Sequence, residues 1–90
     1  MTPTEAKTLL RKDPILTAKF RGATKDDITK WRNQQQLRLD KEVEARAKDT
    51  RPETVYSKAR KDHDTLIRIY TEEILMANAA RLLKANNIDF

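Results

Sequence analysis

Residues 14–33 read Pro14-Ile15-Leu16-Thr17-Ala18-Lys19-Phe20-Arg21-Gly22-Ala23-Thr24-Lys25-Asp26-Asp27-Ile28-Thr29-Lys30-Trp31-Arg32-Asn33. The pattern predicts two helices meeting at a corner. Asp13 offers a capping carboxylate, and Pro14 follows at the first helical position, where its missing N–H costs nothing. Ile15, Leu16 and Phe20 give this helix an apolar side. Gly22, the chain's only glycine, stands where the helix must stop and where a left-handed C-terminal residue would sit. Thr24 then caps a new helix, with Asp26 and Asp27 in its first turn, where carboxylates complement the positive helix end. Ile28, Trp31, Gln35 and Leu39 fall on one stripe of that helix, and Val43 lies a turn further on.

Toward the N-terminus, Thr2-Pro3-Thr4-Glu5 repeats the cap-and-proline logic as a capping box. Ala6, Leu9 and Leu10 then share one face of a short helix ending near Lys12. Toward the C-terminus, residues 38–51 alternate in sign, and Glu42–Arg46 and Glu44–Lys48 are well-oriented i,i+4 pairs. This part reads as a solvated, projecting helix. Thr50-Arg51-Pro52-Glu53 is another capping box, and it predicts a long helix to about residues 84–86. Val55, Tyr56 and Ala59 are sparse anchors in its first half. From Leu66 to Leu83 it is apolar on most sides, apart from a stripe that includes Arg68, Glu72, Asn78 and Arg81. Such a helix must be covered on most sides. Self-association or a protein partner is therefore expected through Ile67, Ile74, Leu75 and Leu82. Asn86 and Asn87 are expected stop residues, with Phe90 folding back onto the core.

The expected fold is all-α, a single small helical bundle with three short N-terminal helices and one long C-terminal helix. Three stretches differ in character: a basic part at 1–37, a charged helical arm at 38–64 and an apolar helix at 65–90. No sustained period-2 alternation suggests a strand.

Composition excludes several kinds of chemistry. The 90 residues include no Cys and one His, so disulfides, thiol catalysis and Cys-ligated metals are ruled out, and a His-based triad or zinc site is disfavoured. Gly22 alone makes no phosphate-binding glycine loop. The neighbouring carboxylates Asp26/Asp27, Asp62/Asp64 and Glu72/Glu73 point in different directions on a helix. A four-helix core this thin is not expected to hold a substrate pocket. No enzyme activity, metal, cofactor or small-molecule substrate is expected. No apolar run approaches the length of a membrane helix. Met1-Thr2-Pro3-Thr4-Glu5 lacks the basic start and apolar stretch of a secretory leader, so a cytoplasmic protein is expected.

The net charge is +5, and its distribution matters more than its sum. Residues 1–37 carry eight basic and four acidic side chains, whereas residues 65–90 carry three of each. A basic end steers toward phosphates or an acidic protein surface.

The spacing Ala18-x3-Gly22-x5-Ile28-x2-Trp31 resembles the signature of helix-turn-helix DNA-binding proteins. In that family a small residue lets the two helices cross closely, glycine permits the turn, and the Ile and Trp positions anchor the second helix. The resemblance implies that the second helix enters the major groove of duplex DNA. Lys25, Asp26, Thr29, Lys30 and Asn33 match its groove-facing positions. Asn33 would then pair with adenine, and Lys25 or Lys30 with guanine or phosphate. Lys19, Arg21 and Arg32 would contact phosphates. The sequence departs from the pattern at Thr17 and Arg21, where the family has large apolar residues. Here Leu16 and Phe20 sit one residue earlier, a shift that rotates the first helix.

Two functional expectations follow. One is a small DNA-binding protein, assembled through its C-terminal helix. The other is a helical protein–protein interaction module, such as an adaptor, inhibitor or structural subunit. Trp31, Tyr56 and Tyr70 are read as packing residues, and His63 as a boundary residue.

Overall fold

The computed structural model describes the backbone at residues 1–49 and 53–90 and the side chains at 1–49 and 60–90. Four helices follow in chain order: α1 (Pro3–Leu10), α2 (Pro14–Arg21), α3 (Lys25–Ala47) and α4 (Glu53–Ala85). No strand occurs among the described residues. The predicted capping box at Thr50-Arg51-Pro52-Glu53 and the anchors Val55, Tyr56 and Ala59 lie outside the described side chains.

Local chemistry sets the other helix starts. The Thr2 hydroxyl accepts the Glu5 N–H at 3.2 Å, with Pro3 next to the cap. Asp13 accepts the Leu16 N–H at 3.0 Å. Thr24 and Asp27 form a reciprocal capping box: Thr24 Oγ1 accepts from the Asp27 N–H at 3.1 Å, and Asp27 Oδ2 accepts from the Thr24 N–H at 3.4 Å. At the far end of α4, Asn87 takes the left-handed conformation with φ 54°. The Ile88 N–H returns to the Leu83 carbonyl at 2.9 Å, and the Asn87 N–H to that of Lys84 at 3.2 Å. This is a Schellman motif with Asn in the glycine position, and Ile88 packs back on the core as the motif favours.

Helix α3 is longer than the short helix expected, at 23 residues. It lies antiparallel beside the 33-residue α4: the cross-helix contacts Arg32–Asn78, Gln35–Glu73 and Glu42–His63 descend along α4 as they ascend along α3, and Arg46–Asp64 joins them at the far end. The result is a rod of 51 × 22 × 21 Å, close to the ~50 Å that 33 helical residues span. The charged stretch expected to project is the distal half of this hairpin.

Helices α1 and α2 cover the other end of the hairpin. Ala6, Leu10, Phe20, Ile28, Met76, Ala77, Ala79, Ala80 and Leu83 are buried there, with Leu9, Leu16, Trp31 and Phe90 packed against them. Ala77, Ala79 and Ala80 leave room for close approach, so α1 seats Ala6 and Leu10 in the same cluster. The stripe predicted for α3 is observed from Ile28 to Leu39 but not at Val43, which is exposed, and Gln35 is its buried polar member. Gln35 donates to Glu73 and accepts from Arg38 at 2.9 Å, so its amide is satisfied.

Two roles implied at the corner are corrected. Ala18 is exposed and forms no helix crossing. Thr17 is buried in its place, with its hydroxyl 2.5 Å from the Leu10 carbonyl and 2.8 Å from that of Asp13. The cause is the early placement of Leu16 and Phe20, which turns α2 by about one residue about its axis. Gly22 is right-handed, with φ −84° and ψ −4°, and a Cβ there would meet only the Lys19 carbonyl, at 3.9 Å. The corner does not need glycine's conformational freedom. It is held from outside by Lys84, whose Nζ donates to the Ala23 carbonyl at 2.5 Å and lies 3.4 Å from that of Arg21. This places a cation at the negative end of α2.

Candidate nucleic-acid interface

The first half of α3 presents its polar side to solvent because Ile28, Trp31 and Gln35 turn the opposite side inward. Lys25, Lys30 and Asn33 are exposed, and Thr29 is half-buried. At about 100° per residue, these four positions span an arc of about 140°. Asp26 lies within that arc. Neither the Lys25 nor the Lys30 side chain has a hydrogen bond or ion pair with a described residue. Thr29 donates its hydroxyl to the Lys25 carbonyl at 3.0 Å.

Arg32 links this arc to α4. Its guanidinium donates to Asn78 Oδ1 at 3.2 Å and to Asn33 Oδ1 at 3.1 Å. The second bond holds the Asn33 amide oxygen and leaves its NH₂ outward for a partner. The antiparallel register then carries Arg81, one turn beyond Asn78, to the level of Thr29. The Nε of Arg81 is buried and has no hydrogen-bond partner among the described residues. Asn78 and Arg81 thus extend the face, and sequence reasoning missed them. Their i,i+3 spacing within an otherwise apolar stretch was the available signal.

The remaining candidates sit elsewhere. Lys19 lies 4.8 Å from the centroid of the Trp31 ring, a cation–π arrangement. Phe20 meets the same indole edge-on at 5.4 Å. Thr29 and Asn33 are each about 160° around α3 from Trp31, so Lys19 is on the opposite flank from them. Arg21 is exposed and its Nε donates to the main-chain oxygen of Phe90. The structure therefore brings together Lys25, Thr29, Lys30, Arg32 and Asn33, and it separates Lys19 and Arg21 from that group.

On α4, Leu75 is exposed, Ile67 and Ile74 are half-buried, and Leu82 packs against the core. Among the described residues of α4 the exposed large apolar positions are Leu66, Ile69 and Leu75, and on α2 Ile15 is 85% exposed. Ile15 borders a hollow lined by Leu16, Trp31, Asp13, Lys19 and Glu73.

At the distal end His63 stands between two carboxylates. Nδ1 meets Glu42, and Nε2 is 3.4 Å from Asp49. The hydrogen bond to Glu42 is the main reason that the His63 pKa is raised above its ordinary 6.5. A neutral imidazole can donate from only one nitrogen, so this placement favours the protonated ring. No cluster of metal-ligating residues occurs among the described residues, and no helix there is long and apolar enough to cross a membrane.

No family model matches the chain, and neither curated proteins nor solved structures give a significant match.

Proposed function

We propose that this protein binds duplex DNA, laying the exposed side of the first half of α3 into the major groove. The observation that carries the reading is the shared arc of Lys25, Thr29, Lys30 and Asn33, exposed at all but the half-buried Thr29, with no ion pair from either lysine to a described residue. Arg32 and Arg81 flank that arc. Lysines that form no internal pair remain available to replace the counterions of a phosphate backbone. Asn33, with its oxygen held by Arg32, has its amide donors free toward an adenine acceptor.

Contact by Lys25, Lys30, Arg32 and Arg81 with four phosphates would give a slope of log affinity against log salt of about −3.6. Fluorescence anisotropy on a mixed-sequence duplex from 50 to 200 mM salt should then show a loss of roughly 150-fold. No detectable binding at low salt rejects the reading.

A second reading is favoured by the exposed apolar residues Ile15, Leu66 and Ile69. Under it, the chain is an interaction module whose protein partner covers them. Ile15→Glu would abolish such a complex and leave duplex affinity unchanged.

A further inference from the structure

Helices α1 and α2 enclose a groove of about 420 Å³. One side of α1 contributes Lys7 and Leu10, with Arg11 at its C-cap. One side of α2 contributes Pro14, Thr17 and Arg21, and Asp89 and Phe90 close the end. The thin core was expected to hold no pocket, and this one lies on the surface, where two short helices splay. Its volume is within the range of small-molecule sites.

We propose that this groove binds a phosphorylated small molecule with a flat apolar body, of the aryl phosphate or nucleoside monophosphate class. The proposal does not depend on the duplex reading, which rests on α3. Charge and floor chemistry carry it. Three cationic side chains, Lys7, Arg11 and Arg21, border the groove against one side-chain carboxylate, Asp89, and the main-chain oxygen of Phe90. Lys7 and Arg11 stand one helical turn apart, a spacing at which like charges repel. Neither side chain has a hydrogen bond or ion pair with a described residue. Arg21 uses Nε on the Phe90 main-chain oxygen, which fixes its guanidinium at the closed end and leaves its terminal nitrogens free. A phosphate dianion compensates such a set better than a single carboxylate does, and it accepts several charge-assisted hydrogen bonds at once.

The floor selects for an apolar body. Leu10 is fully buried and Pro14 and the Phe90 ring are apolar. The Thr17 hydroxyl is already committed to main-chain carbonyls, so the floor offers no unpaired donor. Lys84, 5.9 Å from the Phe90 ring centroid, holds that ring from outside the groove.

The test is an amide NMR titration of the full chain at low ionic strength with phenyl phosphate. Inorganic phosphate and phenol serve as separate probes. Saturable shifts confined to Lys7, Leu10, Arg11, Thr17, Arg21 and Phe90 are expected with phenyl phosphate. Each half-probe should bind at least about tenfold more weakly. The double variant Lys7→Gln/Arg11→Gln should lose at least about tenfold in affinity. Its helical circular dichroism should stay unchanged and its thermal midpoint should not fall, because neither side chain is paired and their mutual repulsion is removed. Non-saturating shifts, equal affinity for inorganic phosphate, or undiminished affinity in the folded double variant would each overturn the proposal.

Discussion

The two ends of the rod are held by different forces. At one end α1, α2 and the first half of α3 enclose the C-terminal half of α4, and every buried apolar residue described lies there. At the other end, the second half of α3 meets residues 60–70 of α4 with no buried apolar side chain among those described. Arg46 reaches Asp64 at 2.8 Å, Lys48 reaches Glu44 at 2.5 Å, and His63 joins Glu42 to Asp49. Apolar burial contributes about 25 cal/mol per Å², whereas an exposed ion pair contributes at most about 1 kcal/mol. Stability should therefore reside at the apolar end. The surfaces differ in the same sense. At the distal end Arg46, Lys48 and His63 are paired with carboxylates, whereas Lys25 and Lys30 form no ion pair with a described residue.

The largest effect that would break this comparison is at Phe20. It is fully buried and edge-on to Trp31, so Phe20→Ala should cost about 3–5 kcal/mol in chemical denaturation. A loss below about 1 kcal/mol would mean that the apolar end does not carry the fold. Thr17→Val keeps the shape but removes the hydroxyl that ties α2 to the Leu10 carbonyl. It should cost about 1–2 kcal/mol, and a neutral result would show that this bond does not set the rotation of α2.

Gly22→Ala should stabilise the protein by about 0.4–1 kcal/mol. The backbone there is right-handed and open to a Cβ, so the substitution acts by restricting the unfolded chain. Destabilisation would place Gly22 in a left-handed turn after all.

The smallest effect is expected at the distal end. His63 has a raised pKa when folded, so its contribution is fully present below its unfolded pKa of about 6.5. That contribution is lost as pH rises through the higher folded value. Thermal midpoints measured across this window should fall with rising pH relative to those of His63→Gln. A parallel pair of curves would remove His63 from the clasp.

The helix starts were legible because capping is local. Thr2, Asp13 and Thr24 each accept an N–H three residues away, and no distant residue intervenes. The rotation of α2 was half legible. The early positions of Leu16 and Phe20 signalled it, but a buried Thr17 could not be foreseen, since its partner carbonyl is seven residues back at a tertiary contact. Lys84 holding the end of α2 was hidden for the same reason, as its contacts lie about sixty residues away in the chain. The candidate face was legible as far as α3 alone determines it. Asn78 and Arg81 join it only through the antiparallel register, which depends on how two long helices dock.

The most direct test of the central claim compares the two halves of α3 on one duplex. Lys25→Glu/Lys30→Glu and the distal control Lys41→Glu/Lys48→Glu alter charge equally, the first pair in the first half of α3 and the second in its second half and at its C-cap. Anisotropy at low salt should show binding lost in the first variant and largely kept in the second, with both proteins folded. Equal losses in the two variants, or no loss in either, would contradict the account.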